Sequence, residues 1–141
     1  MARARAANPQ GYSGTPLPKK LGIAPGAVVA LVNAPPGFER TLGELPTGAA
    51  VRRNVRGARD VTLWFVPSAR ELERRVAGVV KAAGGKRLWI AWPKKTSGVA
   101  TDVTENGVRD AGLACGVVDV KVCAIDATWS GLLFFPRRSP K

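Results

Sequence analysis

The stretch VTLWFVPSARELERRVAGVVKAAGGKRLWIAW, residues 61–92, decides the fold. Its opening VTLWFV reads as a strong strand with Val61, Leu63 and Phe65 on one face and Trp64 and Val66 on the other. Ser68 and Glu71 then make a capping box: the serine accepts an early backbone N–H while the glutamate reaches back. Leu72, Val76, Val79, Val80 and Ala83 follow at helical spacing, and Gly84-Gly85 ends the helix. RLWIAW (87–92) is a second apolar strand. An apolar strand, a capped amphipathic helix and another apolar strand form the repeating unit of a parallel sheet with right-handed crossovers and helices on both faces.

Upstream, LGIAPGAVVALVNAPPG (21–37) holds a turn at Pro25-Gly26 and a continuous apolar run from Ala27 to Val32, a further strand, this one buried on both sides. PPGFERTLGEL (35–45) places Phe38, Leu42 and Leu45 at helical spacing, predicting a short helix ended by Pro46 and Gly48. AAVRRNV (49–55) is a weak strand. RGARD (56–60) behind it falls short of the dozen or so residues that join neighbouring parallel strands. AAVRRNV is therefore an edge strand with a reduced connection, an antiparallel one, or no strand at all. Downstream, TDVTENGVRDAGLACG (101–116) predicts a helix capped by Asp102 or Thr104 with Val108, Ala111 and Cys115 inward, although two internal glycines weaken it. VVDVKVCAID (117–126) and SGLLFFPRR (130–138), joined by ATW, close the chain as an antiparallel hairpin. The expected architecture is α/β: a Rossmann-like three-layer sandwich whose mostly parallel sheet of five to six strands ends in that hairpin. Residues 1–20 read as a basic, Pro/Gly-rich arm, mobile in its first ten residues, and 21–141 as a single domain.

The chain of 141 residues carries 22 Lys+Arg against 10 Asp+Glu, a net charge of +12, which either attracts polyanionic partners in a salt-dependent way or reflects a compositional bias toward Ala, Arg and Gly and a merely basic surface. It contains no histidine, which excludes Ser-His-Asp and Cys-His catalysis and any His-ligated metal. Cys115 and Cys123 alone make neither a disulfide scaffold nor a zinc site, and in apolar company they read as buried free thiols. No apolar run reaches the roughly 18–20 residues that span a bilayer, and MARARAANPQGYSG has no apolar stretch behind its charge, so neither a membrane span nor a secretory signal is expected and the location expected is cytoplasmic.

In open α/β sheets ligands bind beyond the carboxyl ends of the strands. Topology there gathers Asn33 and Gly37 from NAPPG, Ser68 from VPSARE, Lys94, Lys95, Thr96, Ser97, Gly98 and Asp102 from WPKKTSGVATD, and Asp126, Trp129 and Ser130 from the hairpin. WPKKTSG lacks the order G-x-x-x-x-G-K-[ST] of a phosphate loop, but two cations ahead of a helix start are candidate anion contacts. NAPPGF cannot imitate a glycine cradle, since its prolines lack N–H donors. Arg52, Arg53, Arg56 and Arg59 stand where an acid would hold the ribose of NAD, and suit a phosphorylated ligand, a nucleic-acid backbone or plain solvation. Trp129, with Trp92 across the edge, offers a stacking surface or simply packs the end of the sheet.

The succession GYSGTPLPKKLGIAPG, LVNAPPGF, WPKKTSGVATD and DVKVCAIDATWSGLLF, from Gly11 to about Phe135, resembles a family of small bacterial proteins known as a domain of unknown function, which implies one compact unit and no particular activity. More distantly, LGIAPGAVVALVNAPPG looks like the first strand and loop of the S-adenosylmethionine-dependent methyltransferases, RDVTLWFV is similar to their fourth-motif strand, and a final antiparallel hairpin is also theirs. Asn33 stands where their first strand commonly ends in an acid, prolines replace their glycine-rich loop, and no acid ends AAVRRNV, so no cofactor is expected. The function expected is a non-enzymatic binding module for an anionic partner, nucleic acid or a phosphorylated, nucleotide-like small molecule, at the carboxyl-end rim. The alternatives are a degenerate or small methyltransferase-like enzyme and a protein-interaction subunit.

Overall fold

The computed structural model describes residues 15–53 and 56–137, so most of the N-terminal arm expected over residues 1–20 lies outside the described residues. In chain order the elements are α1 (Leu17–Leu21), β1 (Val28–Val32), α2 (Phe38–Leu42), β2 (Ala50–Arg52), β3 (Val61–Phe65), α3 (Ala69–Ala83), β4 (Arg87–Pro93), α4 (Glu105–Ala114), β5 (Val117–Ala124) and β6 (Trp129–Pro136). The strands form one sheet in the order β2-β1-β3-β4-β6-β5. The first four strands run parallel, β6 is antiparallel to β4, and β5 is antiparallel to β6. The fold is the expected three-layer, mostly parallel sandwich.

The alternation read from VTLWFV sorts the core into two halves. Val61, Leu63 and Phe65 pack with Leu17, Leu21, Phe38 and Leu42 under α1 and α2. Trp64 and Val66 pack with Leu72, Val76, Val79 and Val108 under α3 and α4. Each fully buried Val, Leu or Phe contributes about 1.5–3 kcal/mol, and β3 is buried at every position because it supplies both halves. α1 lies inside the stretch expected to be an arm: Leu17 and Leu21 are buried, and the Trp89 indole Nε1 donates to the Leu21 carbonyl at 3.0 Å.

One local expectation is corrected, and one open choice is decided for the edge strand with a reduced connection. α2 ends at Gly43, whose φ of 78° leaves the helical region, before Pro46 and Gly48 are reached. AAVRRNV contains a parallel edge strand that pairs with β1, Val28 opposite Ala50 and Ala30 opposite Arg52, so the short connection crosses over β1 rather than joining neighbours. It suffices because β2 is three residues long: Arg52 lies level with Ala30 and Val61 level with Val29, so the chain has almost no length of strand to retrace. Among the described residues of this connection there is no crossover helix on the α3 side of β1.

Candidate functional site

The rim begins where β1 ends. Asn33 takes φ 63°, a left-handed conformation that asparagine tolerates better than most residues, and its Nδ2 donates to the Phe65 carbonyl at 3.1 Å. That bond spans β1 and β3, between which the chain changes direction across the sheet and where a ligand crevice opens in this class of fold. Gly37, at φ 78°, caps α2 from an exposed position.

Ser68 lies at the end of β3 and accepts from Glu71 N at 3.2 Å, so its hydroxyl serves α3 as its cap. Asp102 reaches over from the loop after β4: its Oδ1 accepts from Ala69 N at 2.7 Å, the first residue of α3. Thr101, unmarked in the sequence, donates from Oγ1 to the Pro67 carbonyl at 2.9 Å and accepts from Val103 N at 3.1 Å. Together they stitch the loop after β4 to the β3–α3 turn.

Lys95–Ser97 form a single 3-10 turn, closed by Gly98 at φ 84°. The chain then runs as a loop to Thr104, one of the two caps expected, whose side chain accepts from Gly107 N at 3.0 Å, so α4 starts well beyond the two lysines. Lys94 and Lys95 therefore lack the helix end that would have reinforced an anion. Ser97 Oγ donates to the Lys94 carbonyl at 2.7 Å and accepts from Val99 N at 3.1 Å, which makes the turn self-capping. Thr96 is exposed at its tip. Lys94 N donates to the Thr128 carbonyl at 2.8 Å, joining this turn to the β5–β6 hairpin. There Asp126 Oδ1 accepts from Thr128 N and Trp129 N, each at 2.8 Å.

The two tryptophans of the rim do not share a surface. Register places Trp92 opposite Ser130 and Pro93 opposite Trp129, so the two rings lie on opposite faces of the sheet. Trp129 packs edge-to-face on Phe65 (centroids 4.9 Å, 89°), and Phe65 on Phe38 (4.8 Å, 69°). Trp92 is buried on the α3 side.

The four arginines of the β2 region are also dispersed. Arg52 is exposed at the end of β2. Arg53 folds back over the β1–α2 loop: its guanidinium donates to the carbonyls of Ala34 (2.9 Å) and Pro35 (2.8 Å) and to both oxygens of Glu39 (2.7 and 3.0 Å). The hydrogen bond from Arg53 pulls the Glu39 carboxyl down to about 2. Arg56 is exposed, whereas Arg59 is buried on the α3 side, with Nε and Nη2 on the Gly57 carbonyl at 3.2 and 3.1 Å. They form no single face for a nucleic-acid backbone. The Arg53–Glu39 clasp had no sequence signal, because the partners are far apart in any helical or strand register.

Cys115 and Cys123 are free and half-buried; burial pushes the Cys123 thiol up, away from reactive thiolate. Among the described residues no group of His, Cys, Asp or Glu is arranged to hold a metal ion, and no helix is long and apolar enough to cross a membrane.

No family model matches the sequence, and no curated sequence does. Solved structures share its fold. A SAM-dependent methyltransferase from Aquifex aeolicus matches with a TM-score of 0.55 and 15% identity over 84% of this chain and 86% of that one. Magnesium protoporphyrin IX methyltransferase from Synechocystis PCC 6803, with bound SAH, matches at 0.54 and 12% over 81% and 75%. A protein of the NADB-Rossmann superfamily from Streptococcus agalactiae matches at 0.54 and 13% over 96% and 73%. At these identities the likeness is one of fold. It overturns the expectation of a non-enzymatic binding module: the architecture is a Rossmann-like one shared with SAM-dependent methyltransferases, as the distant likeness of LGIAPGAVVALVNAPPG and RDVTLWFV implied.

Proposed function

We propose that this chain is a small, degenerate methyltransferase-like enzyme: it keeps that family's sheet and rim, while its crevice has lost the groups that hold an adenosyl cofactor. The observation that carries the reading is the strand order β2-β1-β3-β4-β6-β5 with β6 reversed, which sets the switch point between β1 and β3. A cofactor of this type presents a ribose diol and a sulfonium cation, both of which want carboxylates, and a tail that wants backbone N–H donors. The residues present do not fit it. Pro35 and Pro36 bring no N–H, Asn33 spends its amide across the crevice on Phe65, Arg53 follows the end of β2, and the carboxylate of Glu39 in α2 is held by Arg53.

Isothermal titration of the chain with S-adenosylmethionine tests this. The wild type is expected to bind more weakly than about 1 mM, equivalent to about −4 kcal/mol. The double variant Asn33→Asp, Arg53→Asp, its fold checked by circular dichroism, is expected to gain measurable affinity. Micromolar binding by the wild type would overturn the degeneracy, and no gain in the variant would overturn the placement of the crevice.

A further inference from the structure

We propose a second ligand site, away from the rim, on the face of the sheet under α3: a pocket for a small organic anion that carries an apolar or aromatic body. A cavity of about 390 Å³ lies between the end of β1, the β2–β3 connection and α3, lined by Val32, Arg59, Arg74, Arg75, Gly78 and Val79, among others. Its size falls within the range of small-molecule sites. Among its described residues the β2–β3 connection has no helix to cover β1 on this side, and the Arg59 side chain lies there.

Its chemistry is two-sided. Val32 and Val79 give it an apolar floor, and Val32 pairs in register with Trp64, whose indole Nε1 is buried without a hydrogen-bond acceptor. Three guanidinium groups wall it. Arg59 is only 7% exposed, and its bonds to the Gly57 carbonyl hold it in place. Arg74 and Arg75 share the single carboxylate of Glu71, at 2.7 and 3.2 Å. Arg74 and Arg75 thus carry more positive charge than the one carboxylate they share, and a guanidinium fork suits the planar oxygens of a carboxylate or the oxygens of a phosphate.

Gly78 supplies an independent pointer. It sits inside α3 with an ordinary helical backbone, where glycine costs about 0.5–1 kcal/mol relative to alanine. A Cβ built there meets nothing within 4 Å, so packing does not require the glycine either. What the absent side chain leaves is the room of the cavity.

Anilinonaphthalene sulfonate, an aromatic anion whose fluorescence rises on burial, is the probe. The wild type is expected to bind it saturably at one site. Gly78→Leu is expected to weaken that binding at least about tenfold while the thermal midpoint stays at or above that of the wild type. Arg75→Met is expected to weaken it by a similar factor. Phenyl phosphate and hydrocinnamate should displace the probe, and whichever does so at the lower concentration identifies the preferred head group. Benzyl alcohol, without charge, and inorganic phosphate, without an apolar body, should not. Absence of saturable binding, unchanged binding in Gly78→Leu, or equal displacement by benzyl alcohol would overturn the proposal.

Discussion

At the residue scale the clasp between Arg53 and Glu39 is the most consequential contact, because it decides what the end of β2 can recognise. The Glu39 carboxyl lies near 2 in the folded chain against an ordinary value of 4.5, chiefly through the hydrogen bond from Arg53. A depressed carboxyl contributes to stability above its unfolded value, and that contribution is lost as pH falls through the folded one. The clasp should thus act fully above about pH 4.5 and disappear as pH falls towards 2. Carbon-13 NMR titration of the Glu39 carboxyl should show that low midpoint, and in Arg53→Gln it should return towards 4.5. A midpoint that does not move on substitution would assign the shift to another cause.

Glycines at the same scale separate by what surrounds them. Gly112 weakened the reading of α4, yet a Cβ there would run into the ring of Phe134, which is fully buried and has nowhere to go. The glycine is the condition for α4 to lie close on β6. Gly112→Ala should therefore destabilise the fold by about 1–3 kcal/mol through overpacking, the opposite of the gain that a solvent-facing helical glycine would show. Chemical denaturation of the variant against wild type measures the sign.

At the scale of elements, α3 is legible but for one contact because its signals are local: Ser68 accepts from Glu71 N as expected, whereas the Glu71 carboxylate takes Arg74 and Arg75 rather than reaching back. Ser68 caps it, Glu71 sits in its first turn, Leu72, Val76, Val79 and Ala83 are buried, and Gly84 closes it in the left-handed region. Ser68→Ala should cost about 0.5–2 kcal/mol of stability, read from the urea midpoint at unchanged slope. A loss within error would mean that Asp102, which bonds to Ala69 N, caps the helix unaided. The turn after β4 is harder to read for the converse reason. Lys94–Gly98 carries the residue types of an anion loop, but a helix starts at the hydroxyl that finds a free N–H, and that is Thr104, one of the two caps the sequence offers, well beyond the lysines. The β2 connection was undecided because its length matters only against the length of strand to be retraced, which pairing with β1 sets.

At the scale of the molecule, the sheet has two free edges. β2 is short and carries charged Arg52, and β5 is interrupted by a bulge between Asp119 and Lys121. Short, charged or bulged edges resist pairing with another copy. Val99, Val120 and Val122 are the large apolar side chains exposed among the described residues, and they do not amount to a broad docking face. Sedimentation equilibrium should give the monomer mass of 14.9 kDa at micromolar concentration. A dimer would point to pairing through β5.

The sequence by itself determined the class of fold, the two faces of β3, the α3 cap and the hairpin, because periodicity, capping and strand direction are short-range properties of the chain; for the residues of the rim it offered an expectation. Only the tertiary structure decided what those residues do there. Asn33 turns across to Phe65, Arg53 folds onto the β1–α2 loop, Asp102 caps a helix from another segment, Trp92 and Trp129 part to opposite faces, and a cavity opens beside the β2–β3 connection. Each of these is a pairing between residues distant in the chain, and a polar side chain is assigned its partner by where folding brings an unsatisfied donor or acceptor, which no local pattern encodes.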